Sequence, residues 1–224
     1  MTRIKICGIA RLEDVIDAVH NGANALGLVF YDKSPRNVSV EQAIEITNVV
    51  FPFVTLVGLF VNPRVETVRE ILRLVPLDVL QFHGEETPEF CAQFGRPYLK
   101  AIRVKPGVDL VQCANDYAGA QGLLLDTFVD GVHGGTGASF DWQLIPHDLP
   151  LPVILSGGLN STNVGAAIKQ VRPYAVDVSS GVEASKGIKD AEKLAAFIAE
   201  VHKIDKQLSS SQNNTLRGHR TTVR

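Results

Sequence analysis

Long apolar runs are missing from this chain. The longest, FVTLVGLFV over residues 53–61, falls well short of the roughly 20 residues that span a bilayer. The amino end, MTRIKICGIA, has no sustained apolar stretch of the kind that directs secretion, so neither a membrane nor an export route is expected. Cysteine is scarce as well: Cys7, Cys91 and Cys113 are odd in number and far apart, which fits neither a disulfide framework nor zinc-ligand spacing. A reducing cytoplasm is the expected setting. The six histidines, His20, His83, His133, His147, His202 and His219, are scattered and no HExxH motif occurs, so a metal mechanism has little support. The formal net charge is only −2, which leaves no basic footprint for nucleic acid. Residues 206–224 carry four basic and no acidic side chains, so the rest of the chain is more acidic than the total, and an anionic ligand must be held by a local site.

What is present is one pattern repeated eight times. IKIC, residues 4–7, reads as a buried strand, and Leu12, Val15, Ile16 and Val19 then follow the i, i+3, i+4, i+7 spacing of an amphipathic helix. The strand-like runs ALGLVF, VTLVGLFV, DVLQFH, YLKAIRV, GLLLDT, PVILSGG and AVDVSSG recur along the chain, each ahead of a helical stretch. The last of these stretches lies near residues 191–202. Short apolar strands alternating with helices predict a parallel sheet covered by helices on its outer face. Eight units in 224 residues predict a single-domain α/β (β/α)8 TIM barrel, for which about 200 to 250 residues is the lower range. The open doubly wound alternative lacks its G-x-G-x-x-G after the first strand. With no linker or composition break, residues 1–203 read as one catalytic domain. Residues 204–224, polar, basic and without periodicity, read as a disordered tail.

Barrel active sites form at the carboxyl ends of the strands, so the residues there carry the functional reading. Cys7 ends strand one, Arg36 lies in the loop DKSPRNVS after strand two, His83 opens HGEE after strand four, and Asp126 ends strand six. Strands seven and eight end in SGGLN and SSGVE. Gly157, Gly158, Ser180 and Gly181 have small or no side chains where helices are expected to begin. Their backbone N–H groups are thereby candidates to cradle an anion, and many barrels build a phosphate site in these two loops. A phosphorylated small molecule is the expected ligand, and HGGTG at residues 133–137 is a candidate lid or further wall. A lone cysteine is ordinarily a small buried hydrophobe. As a nucleophile Cys7 would want a histidine, with His83 the candidate; as an acid-base group it would want a partner of opposite role. Asp126, ending the apolar run LLL, would be held protonated by desolvation, while Cys7 beside backbone dipoles would be tuned toward thiolate. Such divergent tuning suits an isomerase.

KICGIA at Lys5, SPRNVS at Ser34, VGLFVN at Val57, QFHGEE at Gln81, LLLDT at Leu123, HGGTGASFDW at His133, LSGGLNSTNV at Leu155 and VDVSSGVEASKGIKD at Val176 closely resemble, in order, the motifs of the phosphoribosylanthranilate isomerase family of tryptophan biosynthesis. The resemblance implies an Amadori rearrangement of N-(5′-phosphoribosyl)anthranilate to the 1-deoxyribulose 5-phosphate, without cofactor or metal, by a monomer or homodimer. It implies Cys7 as general base, Asp126 as general acid, Arg36 on the anthranilate carboxylate, and Gly157, Gly158, Ser180 and Gly181 on the 5′-phosphate. His83 and Asp177 stand in matching motifs, either as substrate contacts or as structural hydrogen-bond partners. Ala10 departs from a common threonine and Ala138 from a common lysine, which leaves the phosphate site without a side-chain cation at position 138. Another phosphosugar-handling barrel isomerase, or a non-catalytic phosphosugar-binding subunit, remains the alternative. Cys7 at strand one argues against the first, and retention of both Cys7 and Asp126 against the second.

Overall fold

The computed structural model describes residues 1–126 and 142–218. Eight parallel strands, β1 (Arg3–Cys7), β2 (Ala25–Phe30), β3 (Thr55–Phe60), β4 (Val79–Phe82), β5 (Tyr98–Arg103), β6 (Gly122–Asp126), β7 (Val153–Ser156) and β8 (Ala175–Val178), close into a barrel in sequence order. β1 seals the ring by pairing with β8, Lys5 opposite Asp177. Six helices pack outside it or lead away from strand ends: α1 (Leu12–Asn21), α2 (Val40–Asn48), α3 (Val65–Leu74), α4 (Pro88–Ala92), α5 (Leu110–Asp116) and α6 (Val164–Val171). The alternation of side chains along each strand sorts two layers. Ile4 and Ile6 join Val15 and Ala18 of α1 in the large core between strands and helices. Lys5 and Cys7, on the opposite face, point into the barrel.

Local signals set the helix starts. Ser39 caps α2 in a reciprocal capping box with Gln42, which satisfies two otherwise orphaned N–H groups. Thr87 caps α4 with Pro88 in its first turn, and Asp109 caps α5. Between β6 and β7 the described residues contain only a single 3-10 turn, Trp142–Leu144; the HGGTG motif and Ala138 lie outside the described residues.

The segment after β8 departs from expectation. A 3-10 turn, Ser180–Val182, is followed by a small antiparallel hairpin of β9 (Glu183–Ser185) and β10 (Ile188–Lys189). The last helix, α7, runs Ala191–Gly218, so the boundary expected at residue 203 falls inside a helix; residues 219–224 lie outside the described residues. Ile204 is buried with Leu194, Phe197, Ile198 and Val201, and Leu208 packs on the same core. The apolar stripe thus continues past the expected boundary. Asp205 accepts hydrogen bonds from Thr2 N at 2.6 Å and Thr2 Oγ1 at 2.8 Å, latching the last helix to the first strand. Among the described residues no helix is long and apolar enough to cross a membrane.

Candidate active site

The carboxyl ends of the strands surround an open cavity of about 850 Å³. Cys7, Arg36, His83, Asp126, Gly157, Gly158, Asp177 and Ser180 all line it, so the geometry gathers eight of the nine candidate residues in one place. Gly181 is the exception. A Cβ on Gly181 would fall 1.9 Å from Leu159 O, so this glycine stands behind the wall and lets the loop after β8 press against the loop after β7.

Contrary to expectation, the glycine loops do not run straight into helices. Gly157 and Gly158 hold left-handed φ values of +91° and +63°, and α6 starts only at Val164. After β8 there is one 3-10 turn rather than an α-helix. The candidate anion cradle is therefore loop backbone, and a Cβ on Gly158 would meet nothing within 4 Å among the described residues.

Cys7 is 6% exposed, at the mouth end of β1 and opposite Gly27 in register. A Cβ on Gly27 would lie 2.9 Å from Cys7 Sγ and 3.2 Å from Lys5 Nζ, so the glycine makes room for both side chains. The expectation of a thiol tuned toward thiolate is corrected: burial pushes its pKa up, against the downward pull of the Lys5 and Lys189 cations, while Asp177 adds to the rise. Desolvation wins because the sulfur has little water to spread a charge into. The two ammonium groups limit that rise and are ready partners once the thiolate forms.

Lys5 and Asp177 form a buried ion pair at 2.8 Å, each side chain 4% exposed. Burial draws the Lys5 ammonium down, but the Asp177 carboxylate and Cys7 outweigh it and raise the pKa overall. Ser156 Oγ donates to the second Asp177 oxygen at 3.2 Å. Asp177 thus lines the cavity with both oxygens engaged by the protein.

Across the mouth, His83 Nε2 lies 3.3 Å from Asp126 Oδ2 and His83 Nδ1 lies 3.0 Å from the Gln81 amide nitrogen. Gln81 donating to Nδ1 assigns Nε2–H as the donor to Asp126. The loop bearing His83 is clamped from outside the barrel. Buried Lys100 reaches Glu86 at 2.9 Å, and Glu86 in turn accepts from the backbone N–H groups of Asn62 and Gly84 at 2.7 and 2.9 Å.

Arg36 points its Nε and Nη2 at the two oxygens of Glu183, each at 2.7 Å. It approaches across Gly8, where a Cβ would sit 2.5 Å from Arg36 Cδ and where φ is +75°. The Glu183 carboxylate and a neutralising burial work against each other on the guanidinium, and its pKa is raised with the Glu183 hydrogen bonds as the largest cause. Sequence reasoning did not single out Glu183, Lys189, Lys5 or Gln81, nor Lys186, which also lines the cavity and brings a cation to a site that has none at position 138.

The arrangement offers a buried thiol flanked by cations, a carboxyl group oriented by a histidine, a guanidinium at one side and a backbone cradle at another. That set can move a proton on a doubly anionic small molecule. The sequence profile described as N-(5′-phosphoribosyl)anthranilate (PRA) isomerase matches residues 4–200. The N-(5′-phosphoribosyl)anthranilate isomerase of Pseudomonas aeruginosa (strain LESB58) is 61% identical over 199 residues, covering 89% of this chain and 94% of that protein. The phosphoribosyl anthranilate isomerase of Thermotoga maritima superposes with a TM-score of 0.84 at 43% identity, over 91% of this chain and all of that one. A solved phosphoribosyl anthranilate isomerase in complex with reduced 1-(o-carboxyphenylamino)-1-deoxyribulose 5-phosphate has a TM-score of 0.81 at 42% identity, over 91% of this chain and 100% of that one.

Proposed function

This chain belongs to the N-(5′-phosphoribosyl)anthranilate isomerase family, and from that premise we propose that its barrel mouth converts N-(5′-phosphoribosyl)anthranilate to 1-(2-carboxyphenylamino)-1-deoxyribulose 5-phosphate, with Cys7 as general base and Asp126 as general acid. The observation that carries this reading is that a cation-flanked thiol and a histidine-bound carboxyl line one cavity. Asp126 gives its proton to the ribose ring oxygen, the C1′–O bond breaks, and the nitrogen lone pair completes a Schiff base. The Cys7 thiolate then takes the proton from C2′, the electron pair neutralises the iminium, and the resulting enolamine tautomerises to the ketone. The substrate gains one proton from Asp126 and loses one to Cys7, so its composition is unchanged, and the site resets when the thiol gives up a proton and the carboxylate regains one.

Lys5 and Lys189 support the thiolate in this scheme, since charge that develops in a water-poor site is stabilised most by groups already in place. His83 holds Asp126 rather than meeting the reacting carbons. Arg36 takes the anthranilate carboxylate with the guanidinium edge that Glu183 leaves to the cavity, and Gly157, Gly158 and Ser180 take the 5′-phosphate. A reducing cytoplasm is the compartment this reading supposes, because the base must remain a thiol. The direct test is to mix purified protein with freshly prepared N-(5′-phosphoribosyl)anthranilate and follow the ketose product; no product at enzyme concentrations near those of substrate would end the reading.

Inorganic phosphate tests the cradle separately. A ligand that binds only the folded state at about 100 times its Kd adds roughly 2.7 kcal/mol of stability, so the melting temperature should climb with phosphate. Gly158→Val forces a β-branched residue into a φ of +63° and should weaken that climb in a protein that still folds. A wild-type melt that ignores phosphate while the substrate binds tightly would remove the loop assignment.

A further inference from the structure

Glu183 and Lys189 face each other across the β9–β10 hairpin, outside any role given above to a reacting group. Glu183 grips Arg36 side-on through Nε and Nη2. The same carboxylate accepts from Lys189 Nζ at 3.0 Å, where the Lys189 side chain is 0% and that of Glu183 5% exposed. Lys189 Nζ also donates to Cys7 O at 2.6 Å and to Ser179 O at 3.2 Å. The hairpin tip rests on the Arg36 loop: a Cβ on Gly187 would lie 2.9 Å from Pro35 O.

Three consequences follow from charge and geometry. A side-on carboxylate fixes the plane of a guanidinium, because the planar fork admits two parallel hydrogen bonds in one orientation only. Arg36 lines the cavity, and with Nε–H and one Nη2–H committed to Glu183, the two Nη1 hydrogens and the second on Nη2 are left to donate. An Arg–Glu pair alone would be neutral toward an incoming anion, whereas the Lys189 ammonium restores one net positive charge to the group. Burial pushes the Glu183 carboxyl up, but Arg36 and Lys189 outweigh it and hold it below the ordinary range, so the brace is ionised. Finally, the bond to Cys7 O ties the brace to the end of the strand that carries the base.

We propose that Glu183, backed by Lys189, is the positioning residue that makes Arg36 selective for a carboxylate-bearing substrate, by fixing the guanidinium plane and keeping the cluster cationic. The proposal rests on the assignment of Arg36 to the substrate carboxylate. It is tested with two probes: reduced 1-(o-carboxyphenylamino)-1-deoxyribulose 5-phosphate, and the same compound without the carboxyl group. Binding of both is measured by calorimetry to the wild type, Arg36→Met, Glu183→Gln and the double variant. Glu183→Gln should weaken the carboxylated probe about 10- to 100-fold, as expected for a misaligned charge-assisted contact, and the other probe by less than about twofold. KM should rise by far more than kcat falls. In the double variant the carboxylated probe should bind no worse than to Arg36→Met alone, because coupled groups are not additive.

Equal weakening of both probes in Glu183→Gln means a structural role and overturns the proposal. So does an additive double variant. If Arg36→Met still prefers the carboxylated probe, the carboxylate assignment of Arg36 itself fails. If Arg36→Met loses that preference while Glu183→Gln keeps it, only the positioning role fails. Should Glu183→Gln not fold, Glu183→Asp keeps the charge and draws it back by one methylene, and is read against the same outcomes.

Discussion

Cys7→Ser should lower kcat/KM by about 10² to 10⁴-fold, the usual worth of a positioned acid-base group, with far less change in substrate affinity. Serine keeps the size and the place at the end of β1. It replaces a thiol with an ordinary pKa near 8.5 by a hydroxyl that is a far weaker acid. The pH profile carries the mechanism further. Burial pushes the Cys7 thiol up despite Lys5 and Lys189, and a base acts only when deprotonated. In the wild type, the ascending limb of kcat/KM should therefore lie at higher pH than an unburied low-pKa thiol would give, up to the pH at which Asp126 no longer holds the proton it must deliver. The limb belongs to coupled groups rather than to Cys7 alone, so the substitution, which should remove it, supplies the identity. Substantial turnover by Cys7→Ser with the limb intact would return Cys7 to the role of a small buried hydrophobe.

The second large effect is on stability. Lys5→Met should destabilise the fold by about 3 to 5 kcal/mol, the cost of breaking one side of a buried ion pair, which for a chain of this size lowers the melting temperature by roughly 6 to 20 °C. The reason is Asp177, which is 4% exposed and, among the described residues, would keep only the Ser156 hydroxyl against its charge. Adding Asp177→Asn to Lys5→Met removes the stranded charge and should recover most of the loss. Activity should not recover with it. The thiolate would still lack its nearer ammonium, so the base limb should move to higher pH in both variants. A melt of Lys5→Met within about 1 kcal/mol of the wild type would mean that water reaches Asp177 and that the pair is not a buried one.

The barrel was readable because its strands are buried on both faces and so appear as apolar runs, while its helices carry a stripe every three or four residues. The same reasoning had the means to find Lys5. In IKIC the alternation that sends Ile4 and Ile6 outward sends Lys5 and Cys7 inward together, and a lysine inside a barrel demands a carboxylate. It also had the means to extend α7: Leu194, Phe197, Val201, Ile204 and Leu208 continue one stripe beyond the point where composition turned polar. The hairpin after β8 was not legible, since strands of three and two residues are too short to show a period. Nor were the partners of Arg36 and Cys7. Glu183 lies 147 residues from Arg36, and a pairing at that distance leaves no trace in local spacing. Burial of the thiol, which reversed the expected direction of its pKa, depends on the same distant residues.

That dependence has a consequence for the chain while it is being made. Lys189 is synthesised 182 residues after Cys7, which at about 5 to 20 residues per second is roughly 10 to 35 s later. Asp177, Ser179 and Lys189, which enclose the first strand, all come from the last quarter of the chain. Until they emerge from the ribosome the ring cannot close, and the sulfur has its packing against Val29 and Leu59 but neither the wall of β8 nor the Lys189 ammonium. An oxidant pulse therefore finds its target in the half-made chain more readily than in the finished barrel, and the thiol is most at risk before there is any activity to lose.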